Sequence, residues 1–161
     1  MFKKLIPNET VQSIYQVDLK ALHLRGLRNI ILDLDNTITP WKRDEITEPL
    51  RKWALEAQQM GFRICLLSNS SYKRVSAYAE KLGVLAAPIG GKPLQRAFKS
   101  ALAVLDAKSG NTAIIGDQIF TDIWGGNRMG LYTILVDPIS KREFFGTKLA
   151  RLMEKLIAKR R

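Results

Sequence analysis

Short apolar runs that alternate with stretches of helical spacing constrain this chain more than any other feature. Ile30-Ile31-Leu32-Asp33-Leu34-Asp35 is an apolar run ending in acids, and it reads as a buried strand with polar residues at its carboxyl end. Leu50, Trp53, Ala54, Ala57 and Met60 then recur at helical spacing, with Pro49 in the first turn and Gly61 just past the end. Phe62 to Leu67 is a second buried run, and Val75, Tyr78, Ala79 and Leu82 mark a helix closed by Gly83. Val84 to Ala87 predicts a short strand. Leu94, Ala97, Phe98, Ala101, Leu102 and Leu105 predict an amphipathic helix opened by Pro93. Thr112 to Ile115 reads as a strand, Thr121 to Met129 as a helix and Tyr132 to Val136 as a further strand.

Strands alternating with helices pair in parallel through right-handed crossovers. The expected fold class is therefore α/β, a three-layer, Rossmann-like core with a mainly parallel sheet. At 161 residues the chain reads as a single domain, 1–161, with an N-terminal extension over 1–28. Residues 141–161 read as a basic amphipathic helix with Leu149, Leu152, Met153, Leu156 and Ile157 on one face. No apolar run approaches the ~20 residues of a membrane span. The apolar stretch at the start stops at Pro7, short of the ~7–15 residues of a secretory signal. One cysteine, Cys65, excludes an intrachain disulfide. The expected location is cytoplasmic, including the inner face of the membrane.

Charge narrows the partners. Lys and Arg number 26 against 15 Asp and Glu, a net of +11. The last 21 residues hold eight Lys or Arg against two Glu, more than half of that excess. Such a surface attracts phosphate, whether on nucleic acid, anionic lipid or a phosphorylated substrate.

In parallel α/β sheets, ligands bind beyond the carboxyl ends of the strands. Four polar segments should meet there: Asp33-Leu34-Asp35-Asn36-Thr37, Ser68-Asn69, Gly91-Lys92-Pro93, and Gly116 to Asp122. Asp33 and Asp35 are two apart, which puts both on one face of extended backbone. Adjacent carboxylates repel unless a cation sits between them or one is protonated. Asp117, arriving from another strand, adds a third oxygen donor. Carboxylate ligands with substrate phosphate suit Mg²⁺. His23 and Cys65 stand alone, so zinc has no ligand cluster. An aspartate is a competent nucleophile toward phosphorus, and the rest of phosphoryl transfer is positioning and charge neutralisation. Mg²⁺ and Lys92 would neutralise, Ser68 and nearby N–H groups would hold phosphoryl oxygens, and Asp35 would exchange protons.

These four segments, in this order, resemble the motifs of the haloacid dehalogenase (HAD) superfamily of phosphatases, over about Asn29 to Val136. The run Leu34 to Trp41 is similar to the YqeG-type subfamily, which is grouped with phosphatidylglycerophosphate phosphatases. The resemblance implies a Mg²⁺-dependent phosphomonoesterase with Asp33 as nucleophile and Asp35 as general acid and base. It implies metal binding by Asp33, the backbone carbonyl of Asp35, and Asp117. It assigns phosphate binding to Ser68, Asn69 and Lys92, and gives Asp122 a second-shell place. The spans after Asp35 and from Val84 to Lys92 are too short for a cap domain, so a capless member is expected. A capless site admits a large or membrane-anchored substrate. Peripheral membrane contact would then run through the basic C-terminal helix.

Single residues have plainer readings. Asp117 and Ser68 could be helix caps, Lys92 a solvated lysine, and Asp122 a surface carboxylate. Trp53, Trp124, His23 and Cys65 read as packing residues, and for Trp41 packing competes with substrate contact. Gly90-Gly91-Lys92-Pro93 lacks the spacing of a P-loop. Two other functions compete. A basic nucleic-acid or ribosome-associated module fits the charge but lacks a visible stacking platform. A phosphoacceptor signalling domain fits the aspartate, but the paired acids fit hydrolysis better.

Overall fold

The computed structural model describes residues 2–140 together with Glu154, Lys155 and Ala158. Apart from those three, the expected C-terminal helix lies outside the described residues.

Six strands form one sheet: β1 (Glu9–Val11), β2 (Asn29–Leu32), β3 (Arg63–Leu66), β4 (Leu85–Ala86), β5 (Thr112–Gly116) and β6 (Tyr132–Val136). Their order is β1-β6-β5-β2-β3-β4, and every pairing is parallel. Among residues 2–140, five α-helices accompany them: α1 (Leu19–Leu24), α2 (Glu48–Gln59), α3 (Tyr72–Leu82), α4 (Gln95–Leu105) and α5 (Gly125–Arg128). The α/β sheet expected from the alternation is thus present.

Strand periodicity explains the layering. Side chains alternate across a sheet, and the central strands are buried on both faces, so they read as continuous apolar runs. Ile30, Leu32, Ile64, Leu66 and Ile115 share one core cluster with Leu50 and Trp53 of α2 and Val75 and Tyr78 of α3. Ile31, Cys65 and Ile114 share the other with Ala97, Phe98 and Ala101 of α4. Ile31 stands opposite both Cys65 and Ile114, which fixes this register. Thr47 caps α2 by accepting the Leu50 N–H, and Ser71 caps α3 by accepting the Arg74 N–H. Gly83 ends α3 in the left-handed conformation that glycine adopts without strain.

Two features differ from the sequence expectation. Residues 9–11, placed in an N-terminal extension, form an edge strand in which Glu9 pairs with Ile134. The stretch expected as a helix from Thr121 divides into a π-helical turn, Ile119–Trp124, and α5. Close packing explains the glycines there. A Cβ on Gly125 would stand 2.7 Å from the Phe98 ring, and one on Gly126 would stand 2.7 Å from Ile114. Residues 33–47 link β2 to α2, and residues 87–94 link β4 to α4. Among the described residues, no helix is long and apolar enough to cross a membrane.

Candidate active site

Because all six strands are parallel, their carboxyl ends share one edge, and the predicted residues arrive there from four loops. Asp33 directly follows β2 and extends its ladder, donating its N–H to the Ile115 carbonyl at 3.0 Å. Lys92, from the loop before α4, is buried and donates to Asp33 Oδ1 at 2.8 Å and Asp122 Oδ1 at 2.6 Å. Asp117 follows β5 and is also buried. The hydroxyl of Thr37 lies 3.1 Å from Asp33 Oδ2 and 3.3 Å from Asp117 Oδ1. A hydroxyl has one proton, so it can satisfy only one of those two oxygens at a time.

Carboxylate oxygens of Asp33, Asp117 and Asp122 lie within 4.8 Å of one another. Three carboxylates against one ammonium leave two negative charges in excess, in a region where charge is costly. A divalent cation matches that excess, and an all-oxygen donor set suits a hard cation. Burial alone would pull the Lys92 ammonium down, but Asp122 and Asp33 outweigh it and hold Lys92 above the ordinary lysine range. Burial pushes the Asp122 carboxyl up, against the pull of Lys92. Gly116 makes room for Asp122, because a Cβ there would stand 2.2 Å from Asp122 Oδ2.

Asp35 does not join the carboxylate group. Its side chain is half-buried and gripped by Arg74, whose Nη1 donates to Oδ2 at 2.8 Å and Nη2 to Oδ1 at 2.9 Å. The Lys42 N–H adds a third hydrogen bond, to Oδ1, at 3.0 Å. Arg74 also reaches Asp44 through Nε at 2.8 Å. Directly after Asp35 the chain turns at Asn36, whose φ of 62° is left-handed. The buried Asn36 side chain accepts from the Trp41 N–H and from both the N–H and the hydroxyl of Ser140. That fastens the loop carrying Asp35 to the segment after β6.

The Ser68 hydroxyl oxygen accepts the Ser70 N–H at 3.1 Å. Asn69, expected at the phosphate, bonds to the loop that carries Lys92. Its Oδ1 accepts the N–H groups of Gly91 and Lys92, and its Nδ2 donates to the Lys92 carbonyl. It therefore fixes the loop that delivers the lysine. Asp122, expected in a second shell, stands among the three grouped carboxylates. Thr37 and Arg74 were not singled out by the sequence. Thr37 could have been found, since it lies within the same motif four residues after Asp33. Arg74 carries no comparable signal; it reads as one more helix cation. Trp53 and Cys65 sit in the core, and His23 packs edge-on to Phe62.

Comparison with known proteins supplies the family. A family model described as HAD-hydrolase-like matches residues 89–138. The chain is 36% identical over 158 residues to the probable phosphatase YqeG of Bacillus subtilis, covering 98% of this chain and 92% of that one. This chain belongs to the HAD phosphatase family. As a member of that family, the chain is an enzyme of phosphate-ester hydrolysis. It is also 28% identical to the phosphatidylglycerophosphate phosphatase 1 of Arabidopsis thaliana, over 97% of this chain but only 48% of that protein. The fold is shared with the cobalt-bound form of the deoxy-D-mannose-octulosonate 8-phosphate phosphatase of Haemophilus influenzae, with a TM-score of 0.55 at 16% identity, covering 84% and 90% of the two chains.

Proposed function

We propose that this HAD phosphatase is a Mg²⁺-dependent phosphomonoesterase that forms an aspartyl-phosphate on Asp33, with phosphatidylglycerophosphate as its substrate. The observation that carries the chemistry is the setting of Asp33, a buried carboxylate held at once by the Lys92 ammonium and the Thr37 hydroxyl. Such fixation costs the nucleophile little reorganisation when phosphorus arrives. The Arabidopsis relative's name supports the lipid.

Asp33 and Asp117, with the Asp35 backbone carbonyl, would hold the metal, and Asp122 lies close enough to join them. When bound, Mg²⁺ would supply neutralising charge to the transferring phosphoryl group. An Asp33 oxygen attacks phosphorus, the bond to the leaving alkoxide breaks, and Asp35, entering the step in its protonated form, gives that oxygen its proton. Asp35 then takes a proton from water as the water oxygen attacks the phosphorus bound to Asp33. Inorganic phosphate leaves and the Asp33 carboxylate is restored. Ser68 and Lys92 steady the phosphoryl oxygens, with Asn69 holding the Lys92 loop in place.

A panel comparing phosphatidylglycerophosphate in mixed micelles with sugar phosphates, nucleotides and phosphopeptides, with and without Mg²⁺, tests this reading. Metal-dependent phosphate release from the lipid, abolished by Asp33→Asn, is the expected result. Metal-loaded protein that releases none from any phosphomonoester overturns the chemistry. Release confined to soluble esters overturns the lipid assignment.

A further inference from the structure

Large apolar side chains are exposed in the loops that deliver the site residues. Leu94, 52% exposed, lies two residues beyond Lys92. Phe120, 47% exposed, lies between Asp117 and Asp122 and stacks on Trp124 with ring centroids 5.0 Å apart. Ile139, 51% exposed, donates its N–H to the Asn36 carbonyl at 3.0 Å, next to Asp35. Tyr72 is exposed in the first turn of α3, two residues before Arg74. All four follow strand carboxyl ends, so they stand on the edge that holds the site. Single exposed apolar residues mean little, whereas several gathered around a functional edge mark an interaction surface.

Charge indicates what that surface meets. Lys42, Arg43, Lys73 and Arg96 are exposed on the same edge, and among its acids Asp44 is held by Arg74. Ser140, the residue before Lys141, is bonded to Asn36 at the site. Further along, Glu154 accepts the Ile119 N–H at 2.6 Å, beside Phe120. Ser140, just before the segment with eight Lys or Arg against two Glu, and Glu154 within it are therefore both bonded at the site edge. Apolar side chains set among cations match an anionic bilayer, whose interface takes both.

We infer that the site edge is a membrane-docking face, on which Leu94, Phe120 and Ile139 enter an anionic bilayer while the surrounding Lys and Arg meet lipid phosphates. This deepens the lipid-substrate reading and rests on it for its purpose. It also shifts the contact from the C-terminal segment alone to the rim of the site. A substrate phosphate at the bilayer surface would then face Asp33 without leaving its leaflet.

The test is co-sedimentation with vesicles of phosphatidylcholine alone and with vesicles of phosphatidylcholine and phosphatidylglycerol in equal parts. The full chain should pellet with the anionic vesicles and far less with the neutral ones. The combined variant Leu94→Ser, Phe120→Ser, Ile139→Ser should lose roughly tenfold or more in apparent affinity, with an unchanged rate on a soluble phosphomonoester. Because that control rate requires a folded site, misfolding is separated from lost docking. Lys73→Glu with Arg96→Glu should weaken only the anionic binding. Wild-type binding by the serine variant overturns the inference and leaves the C-terminal stretch as the contact. Failure of the wild-type chain to pellet, or a preference for an RNA oligonucleotide over both vesicles, also overturns it. Micellar lipid hydrolysis without vesicle binding sinks this inference alone, whereas vesicle binding without lipid hydrolysis sinks only the substrate assignment.

Discussion

The Lys92 ammonium lies 2.6 Å from Asp122 and 2.8 Å from Asp33, so one buried cation joins the carboxylate after β2 to one from the turn before α5. The lysine neutralises charge that would otherwise push those two segments apart. Removing one partner from a buried ion pair typically costs about 3–5 kcal/mol, because a charge is left uncompensated. Lys92→Met should therefore lower the melting temperature in EDTA clearly, and phosphatase activity should fall with it. Calorimetry of the two chains, metal-free and with Mg²⁺, checks the point. An unchanged melting temperature without metal would show that the ammonium carries no such burden.

Gly116 is required by Asp122 rather than by any turn. A Cβ at this position would lie 2.2 Å from Oδ2 and 2.6 Å from the Asp122 Cβ, both far inside contact distance. Gly116→Ala must displace Asp122, and through it Lys92. Overpacking of this kind costs about 1–3 kcal/mol. The expected result is a modest loss in urea stability with a disproportionate loss in kcat. A variant with normal kcat would show that the Asp122 position is not needed for turnover.

Arg74 holds both oxygens of Asp35 in the fork geometry that only a guanidinium offers. Arg74→Lys keeps the charge and loses the fork, so it should recover little of what Arg74→Ala removes. Both variants should lower kcat roughly 10- to 100-fold with a smaller effect on KM, as expected if Asp35 is the proton-transfer group proposed above and Arg74 positions it. Full rescue by lysine would reduce the contribution of Arg74 to charge alone.

The parts of this molecule that could be read without coordinates are those set by local periodicity. Ile30 to Leu32 and Ile114 to Ile115 are continuous apolar runs because their strands are covered on both faces. Asp33 and Asp117 stand out because carboxylates end those runs. Strand order is not a local property: Glu9–Val11 is too short to show a period, and its place beside β6 depends on a partner more than a hundred residues away. The contacts of Asn69 with Gly91 and Lys92 are also non-local, since loop closure across more than twenty residues brings them together. Arg74 was hidden for a similar reason. Its meaning comes from Asp35, which reaches it only after β2 and β3 lie side by side.

Alkaline pH should unfold this protein through two buried acids. Burial pushes the Cys65 thiol from its usual 9.0 up to about 12. Burial also pushes the Tyr78 phenol from 10.0 up to about 12, and its hydroxyl donates to the Glu45 carbonyl at 2.7 Å. Well below pH 9 both groups are protonated in folded and unfolded chains, so they give stability no pH dependence. Between 9 and 12 the unfolded chain loses these protons first and binds fewer of them, and stability must fall as pH rises. The combined loss is on the order of a few kcal/mol. Urea midpoints measured from pH 8 to 11 should decline for the wild-type chain, less steeply for Cys65→Ala and least for Cys65→Ala with Tyr78→Phe. The native thiol should also resist iodoacetamide at pH 8 and react once urea opens the core, because the thiolate is the reactive form. Rapid labelling of the folded chain would contradict the burial that drives both effects.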